Sequence, residues 1–276
     1  MPSRSREDAP IAILTDFGYQ DHYVGAMKGV IARIAPGARL IDLTHGIPPQ
    51  SIVAGALALR ESWSYFPKRT IFLAVVDPGV GTARAPIAIE TRAGARFVGP
   101  DNGLLALATE AAEVKSAVKL STARYRMQNV SSTFHGRDVF APAAAYLWRG
   151  VPLKSFGPRI DRIERLEFDE PKRSAKTVKG RVIYVDAFGN LITNIGREAL
   201  AQLDTAFPGR VAWVRIDRSA PMKLVEAYGY ALKGALLATI GSFNLLEVAV
   251  RDGSAAKRLG ASVGAAVTVT TRPGQP

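Results

Sequence analysis

The chain has 276 residues, 47% of them hydrophobic and 22% charged, an ordinary globular composition with length for one large domain or two smaller ones. Lys and Arg number 36 against 24 Asp and Glu, a formal charge of +12, but the basic residues are scattered and Arg159 to Lys179 interleaves both signs, so the charge reads as a solvated surface and not as a nucleic-acid face. The absence of cysteine excludes disulfides, thiolate nucleophiles and cysteine-ligated zinc; no apolar run spans a bilayer, and polar Met1 to Pro10 lacks the core of a secretory signal, so the expectation is a soluble cytoplasmic protein.

From Ala9 to about Gly157 strand-like and helix-like segments alternate. Pro10 to Leu14 reads as a buried strand, and Val24 to Ile34 as a helix stopped by Pro36-Gly37. Leu40 to Leu43 is a short strand leading into Thr44-His45-Gly46-Ile47-Pro48-Pro49. Ser51 to Tyr65 then carries Ala and Leu at helical spacing, with Ser51 as cap. Ile71 to Val76 is apolar and β-branched, and strands follow near Ile87 to Glu90 and Phe97 to Val98. Helices are expected over Leu104 to Ala112 and over alanine-rich Asp138 to Trp148. Alternation of this kind implies an α/β unit, a mostly parallel sheet covered by helices on both faces.

The texture changes near Phe156-Gly157-Pro158. Arg159 to Lys179 is a charged connector with room for a short strand at Leu166 to Phe168. Short strand patterns then dominate: Arg181 to Val185, Leu191 to Thr193, Val211 to Ile216, Lys223 to Glu226, Ala235 to Ile240, Leu245 to Val250 and Ala266 to Thr270. Close spacing with Gly and polar turns predicts a smaller antiparallel β-barrel-like domain. The expected domains are residues 9–172 and 173–276.

Several strands deliver a carboxylate or amide at their exit: Thr15-Asp16-Phe17-Gly18, Val76-Asp77-Pro78-Gly79-Val80-Gly81, Gly99-Pro100-Asp101-Asn102-Gly103 and Val185-Asp186-Ala187-Phe188-Gly189-Asn190. In an open α/β sheet ligands sit at the carboxyl ends of strands, so this recurrence points to a polar ligand. Of the three histidines, His135 stands beside glycine at a helix start, well placed to face a pocket; His22 and His45 lie in loops with no obvious acidic partner motif. No His, Cys or carboxylate spacing suits a metal. No G-x-S-x-G elbow and no phosphate-cradling glycine loop follows a strand, which argues against serine hydrolases, kinases, NTPases and dinucleotide oxidoreductases.

Taken in order, Thr15-Asp16-Phe17-Gly18, Asp42-Leu43-Thr44-His45 with Ile47-Pro48-Pro49, Asp77-Pro78-Gly79-Val80-Gly81, Gly99-Pro100-Asp101-Asn102-Gly103, Phe134-His135-Gly136-Arg137-Asp138 and Asp186 through Asn194 closely resemble the S-adenosyl-L-methionine (SAM) hydrolases, also called SAM hydroxide adenosyltransferases, relatives of the fluorinases and chlorinases. The resemblance spans about residues 10 to 270. It implies an N-terminal α/β domain, a C-terminal β-barrel-like domain, and a homotrimer binding SAM between adjoining subunits. It implies attack of water on the ribose C5′, releasing adenosine and L-methionine with no cofactor and no metal. The family's Asp-Arg-His set maps onto Asp77, Arg84 and His135. The halogenases have a tyrosine at Asp77, a serine at Gly136 and a tryptophan at Gln50, and all three departures point away from halogenation. By the same resemblance Asp16 would chelate the ribose hydroxyls and Asp186 pair with the α-ammonium. Phe188 and Asn190 would meet the adenine, and Ser242 would lie near the methionine carboxylate. Phe243 replaces an arginine that the halogenases carry beside that serine.

These residue types suit the reaction. SAM is a sulfonium whose leaving group departs as neutral methionine, so no general acid is needed and a positioned, ionised water is. Attack by hydroxide annihilates charge, which a dry pocket favours. Asp77 beside Arg84 is an anchor for that water, and His135, titrating near neutrality, helps to ionise it. Two other readings stay open on sequence alone: a SAM- or adenosine-binding sensor with negligible turnover, and a halide-using chlorinase.

Overall fold

The computed structural model describes residues 9–166, 169–174, 176–206 and 210–273, and the chain divides into two compact units, Met1–Glu167 and Phe168–Pro276. In the first, β1 (Ile11–Thr15), α1 (Tyr23–Ile34), β2 (Leu40–Thr44), α2 (Ile52–Ser62) and β3 (Ile71–Val75) alternate. They are followed by β4 (Pro86–Thr91), β5 (Arg96–Pro100), α3 (Ala106–Ala111), β6 (Val114–Lys119), α4 (Ala141–Trp148) and β7 (Arg159–Ile160). One sheet runs in the order β2-β1-β3-β5-β4-β6-β7. Its first four strands are parallel and β4, β6 and β7 are antiparallel, so the sheet is mixed. Every position of β1 and β3 is buried, which is why both read as unbroken apolar runs. One face packs Ile11, Ile13 and Leu73 against Met27 and Ile31 of α1 and Leu147 of α4. On the other, α2 comes so close that a Cβ on Gly55 would stand 2.7 Å from Leu104 and 3.1 Å from Val76.

The chain leaves β1 toward β2 on one side of the sheet and reaches β3 on the other. The crevice of such a sheet lies at this reversal of strand order, and Asp16 and Asp77 leave β1 and β3 there. Ser51 caps α2 as expected, its hydroxyl accepting from Ala54 N–H. The helix expected over Asp138 to Trp148 is interrupted at its start. Gly136–Phe140 is a π-helical turn and α4 begins at Ala141. Pro142 has no N–H to offer the Asp138 carbonyl, and Met127 N–H takes that acceptor at 2.9 Å.

The second unit holds β8 (Lys172–Arg173), β9 (Thr177–Val185), β10 (Leu191–Gly196), α5 (Arg197–Ala206), β11 (Arg210–Ile216), β12 (Met222–Lys223), β13 (Leu236–Ile240), β14 (Leu245–Val250), α6 (Ala255–Leu259) and β15 (Ala266–Pro273). Its antiparallel sheet runs β12-β11-β15-β9-β10-β14-β13, with β8 beside β9. A bridge from Leu224 to Ala238 brings the two ends together, giving the nearly closed barrel that the short strands imply. Val182, Leu191, Val214, Leu246, Val248 and Val269 fill it. The strand expected at Leu166 to Phe168 falls on residues 167–168, outside the described residues. No helix among the described residues is long and apolar enough to cross a membrane.

Candidate active site

Asp77 leaves β3 in the turn Pro78-Gly79-Val80-Gly81 that returns the chain to Arg84. Arg84 Nε donates to Asp77 Oδ1 at 2.8 Å and its Nη2 donates to Oδ2, a bidentate pair whose side chains are 9% and 5% exposed. The same Nη2 lies 3.0 Å from His135 Nδ1. A guanidinium only donates, so Nδ1 is the acceptor and a neutral imidazole then carries its proton on Nε2. Burial first, then the Arg84 charge, push His135 below its ordinary imidazole value, favouring that neutral form. Arg84 Nη1 is buried without a partner among the described residues, and the guanidinium carbon rides 5.2 Å over the Phe140 ring. The loops meet because Gly81, at φ +79°, lies where a Cβ would stand 2.5 Å from the Ser132 carbonyl.

The Asp138 carboxylate is buried; it accepts from Ser131 N–H at 2.8 Å and pairs with both arms of Arg137, whose guanidinium covers Phe134 at 4.9 Å. Gly136 is closely packed. A Cβ there would lie 3.2 Å from Met27 Sδ and 3.4 Å from the rings of Phe17 and Phe134.

Asp16 sits at the β1 exit, half-buried, with Oδ2 accepting from Gln50 N–H at 2.8 Å. Beneath it lies a constellation that sequence reasoning missed. His45 is 1% exposed; its Nδ1 is 2.7 Å from Thr15 Oγ1 and its Nε2 is 3.2 Å from Asp42 Oδ1. Asp42 also accepts from Lys28 at 2.7 Å and from the Tyr19 hydroxyl at 3.1 Å. His45 therefore has the acidic partner that its loop setting hid. The signal was Asp42 three residues earlier, at the end of a strand. Burial would raise the Asp42 carboxyl, but the Lys28 hydrogen bond and the His45 contact outweigh it and bring it below its usual range; burial lowers His45.

The remaining sequence-derived residues belong to the second unit. Asp186 closes the β9–β10 turn, accepting from Phe188 N–H at 2.9 Å, Asn190 N–H at 2.8 Å and Asn190 Nδ2 at 2.9 Å. Asn190 is buried by this, while Phe188 is 79% exposed. Ser242 is exposed in the β13–β14 turn, and Phe243 meets the Tyr184 ring edge-on at 6.4 Å. Register puts Tyr184, Ile192, Glu247 and Thr239 on one face of this sheet. Glu247, the acid within Leu245-Leu246-Glu247-Val248, went unnoticed in the sequence. It is 5% exposed, accepts from the Tyr228 hydroxyl, and is raised by burial above its usual value.

A mixed α/β unit with carboxylates at its strand exits, followed by a β-barrel unit, defines a two-domain α/β protein with a polar ligand site. The family model for the SAM hydroxide adenosyltransferase N-terminal domain matches residues 11–157, and that for the C-terminal domain matches residues 180–268. An (R)-S-adenosyl-L-methionine hydrolase of Thermus thermophilus is 39% identical over 92% of this chain and 97% of its own length. A solved structure of a Thermotoga maritima protein superposes with TM-score 0.84 at 38% identity, over 94% of this chain and 99% of that one. A fluorinase of Nocardia brasiliensis is more distant, 27% identical over 83% of this chain and 85% of its own. The chain belongs to the SAM hydroxide adenosyltransferase family.

Proposed function

We propose that this protein hydrolyses (R)-S-adenosyl-L-methionine to adenosine and L-methionine by in-line attack of an ionised water on the ribose C5′. The observation that carries the reading is the Asp77–Arg84–His135 cluster, three polar groups tied together in a nearly dry setting beside a guanidinium nitrogen with no partner of its own among the described residues. In this reading Asp77 and Arg84 together hold the oxygen, and His135 helps to remove its proton. The basic atom of neutral His135 is Nδ1, which faces Arg84 at 3.0 Å, so His135 takes a proton only by giving up that contact. Hydroxide so formed is stabilised by Arg84 until it meets the sulfonium-bearing nucleoside, where opposite charges cancel.

Asp16 chelates the ribose hydroxyls, Asp186 takes the α-ammonium, Phe188 and Asn190 contact the adenine, and Ser242 faces the carboxylate. No cofactor takes part, since the sulfonium carries its own leaving group. The family resemblance supports a homotrimer whose sites are completed by adjoining subunits. Purified protein incubated with (R)-SAM is expected to yield equal amounts of adenosine and methionine by chromatography, with no chlorinated nucleoside when chloride is added. A chloride-dependent product would favour the chlorinase reading. Tight SAM binding without product would favour a sensor.

A further inference from the structure

Thr15 and His45 are buried at 0% and 1% exposure, yet both bracket Asp16. His45 Nδ1 lies 2.7 Å from Thr15 Oγ1, which also accepts Phe17 N–H at 3.2 Å, and His45 Nε2 faces Asp42 Oδ1 at 3.2 Å in an ion-pair contact that lacks hydrogen-bond geometry. A carboxylate only accepts, so the proton of a neutral imidazole belongs on Nε2, and Nδ1 then accepts from the Thr15 hydroxyl. The His45 carbonyl accepts Gly18 N–H at 2.8 Å. Five residues past His45, Gln50 N–H binds Asp16 Oδ2 at 2.8 Å. Residues before and after Asp16 and its own carboxylate are thus all tied to the β2 exit loop. Asp42 in turn accepts from Lys28 at 2.7 Å and from the Tyr19 hydroxyl at 3.1 Å, so the chain of contacts ends on a charged group at the surface.

We propose that the Thr15–His45–Asp42 chain is a positioning device that holds the Asp16 carboxylate in the orientation required to grip two adjacent hydroxyls of the substrate sugar. The inference rests on the assignment of Asp16 to ribose binding. Neither Thr15 nor His45 is exposed to substrate; both act through Asp16. A carboxylate gripping vicinal hydroxyls must present its oxygens at a fixed angle; the Gln50 N–H holds one of those oxygens directly, while the Thr15–His45 and Gly18–His45 bonds fix the backbone on either side of it. Sugar hydroxyls are bound alike before and during displacement at C5′, so loosening Asp16 weakens substrate binding without slowing the chemical step.

The test is steady-state kinetics with SAM on Thr15→Val, His45→Asn, His45→Leu and Asp16→Asn. Thr15→Val keeps the buried shape and removes one hydroxyl; KM is expected to rise about tenfold with kcat within about twofold. His45→Asn places a carboxamide oxygen near the Nδ1 position and should recover most of the affinity that His45→Leu loses. A Thr15→Val enzyme with wild-type KM, while Asp16→Asn shows a raised one, overturns the positioning role and leaves the Asp16 assignment standing. Unchanged KM in Asp16→Asn overturns both. A fall in kcat at constant KM in Thr15→Val would also defeat the proposal. Should His45→Leu fail to fold, Thr15→Val and His45→Asn decide alone.

Discussion

Arg84 makes two parallel bonds to Asp77 and a third contact to His135, a geometry that needs a flat, forked cation. Lysine is a point charge and cannot replace it, so Arg84→Lys is expected to lose most turnover while keeping the fold, as read by adenosine release and circular dichroism. Asp77→Asn should cost about 10²–10⁴-fold in kcat with little change in SAM binding; wild-type turnover in that variant would end the assignment. His45 gives a pH signature. Its imidazole is lowered in the folded protein, so the unfolded chain binds the proton more readily. The stability it confers is present above its unfolded value near pH 6.5 and is lost as pH falls through the lowered folded value. Asp42, also lowered, acts in the same direction but in a more acidic window. Thermal melts of wild type should therefore drop as pH falls below about 6.5, and His45→Asn, which has no proton to gain there, should show a flatter profile.

The elements place these groups, and small polar clamps set the elements. Asn102 Nδ2 donates to the Val76 carbonyl at 2.9 Å and its Oδ1 accepts from Leu104 N–H at 3.1 Å, tying the exit of β3, one residue before Asp77, to the approach to α3. Asn102→Ala should cost about 1–3 kcal/mol in denaturant unfolding and lower kcat, because Asp77 loses its anchor. β1 and β3 were legible because burial on both faces makes their apolar runs continuous. β6 was not: Val114-Lys115-Ser116-Ala117-Val118-Lys119 is half exposed, and its pattern resembles a loop. α5 and α6 were hidden among strand patterns, the second being only five residues long. The Asp77–Arg84 pair was readable because a glycine turn returns the chain over seven residues. The His45 network was not, because Thr15 reaches it only after two strands pair in register.

At the scale of the molecule, the residues proposed to bind and turn over substrate are shared between two units, each with its own core: Asp16, Asp77, Arg84 and His135 in one, Asp186, Phe188, Asn190 and Ser242 in the other. If sites form between adjoining subunits as proposed, Asp77→Asn and Asp186→Ala damage different halves of each site. Mixing the two inactive variants under subunit exchange is then expected to restore activity in about a quarter of the sites, whereas sites built within one chain would stay dead in any mixture. Separate cores also permit each half to fold before its complement arrives. Turnover per chain would accordingly decline on dilution once subunits part, even though every protomer remains fully folded, and the enzyme's output would report how much of it is present.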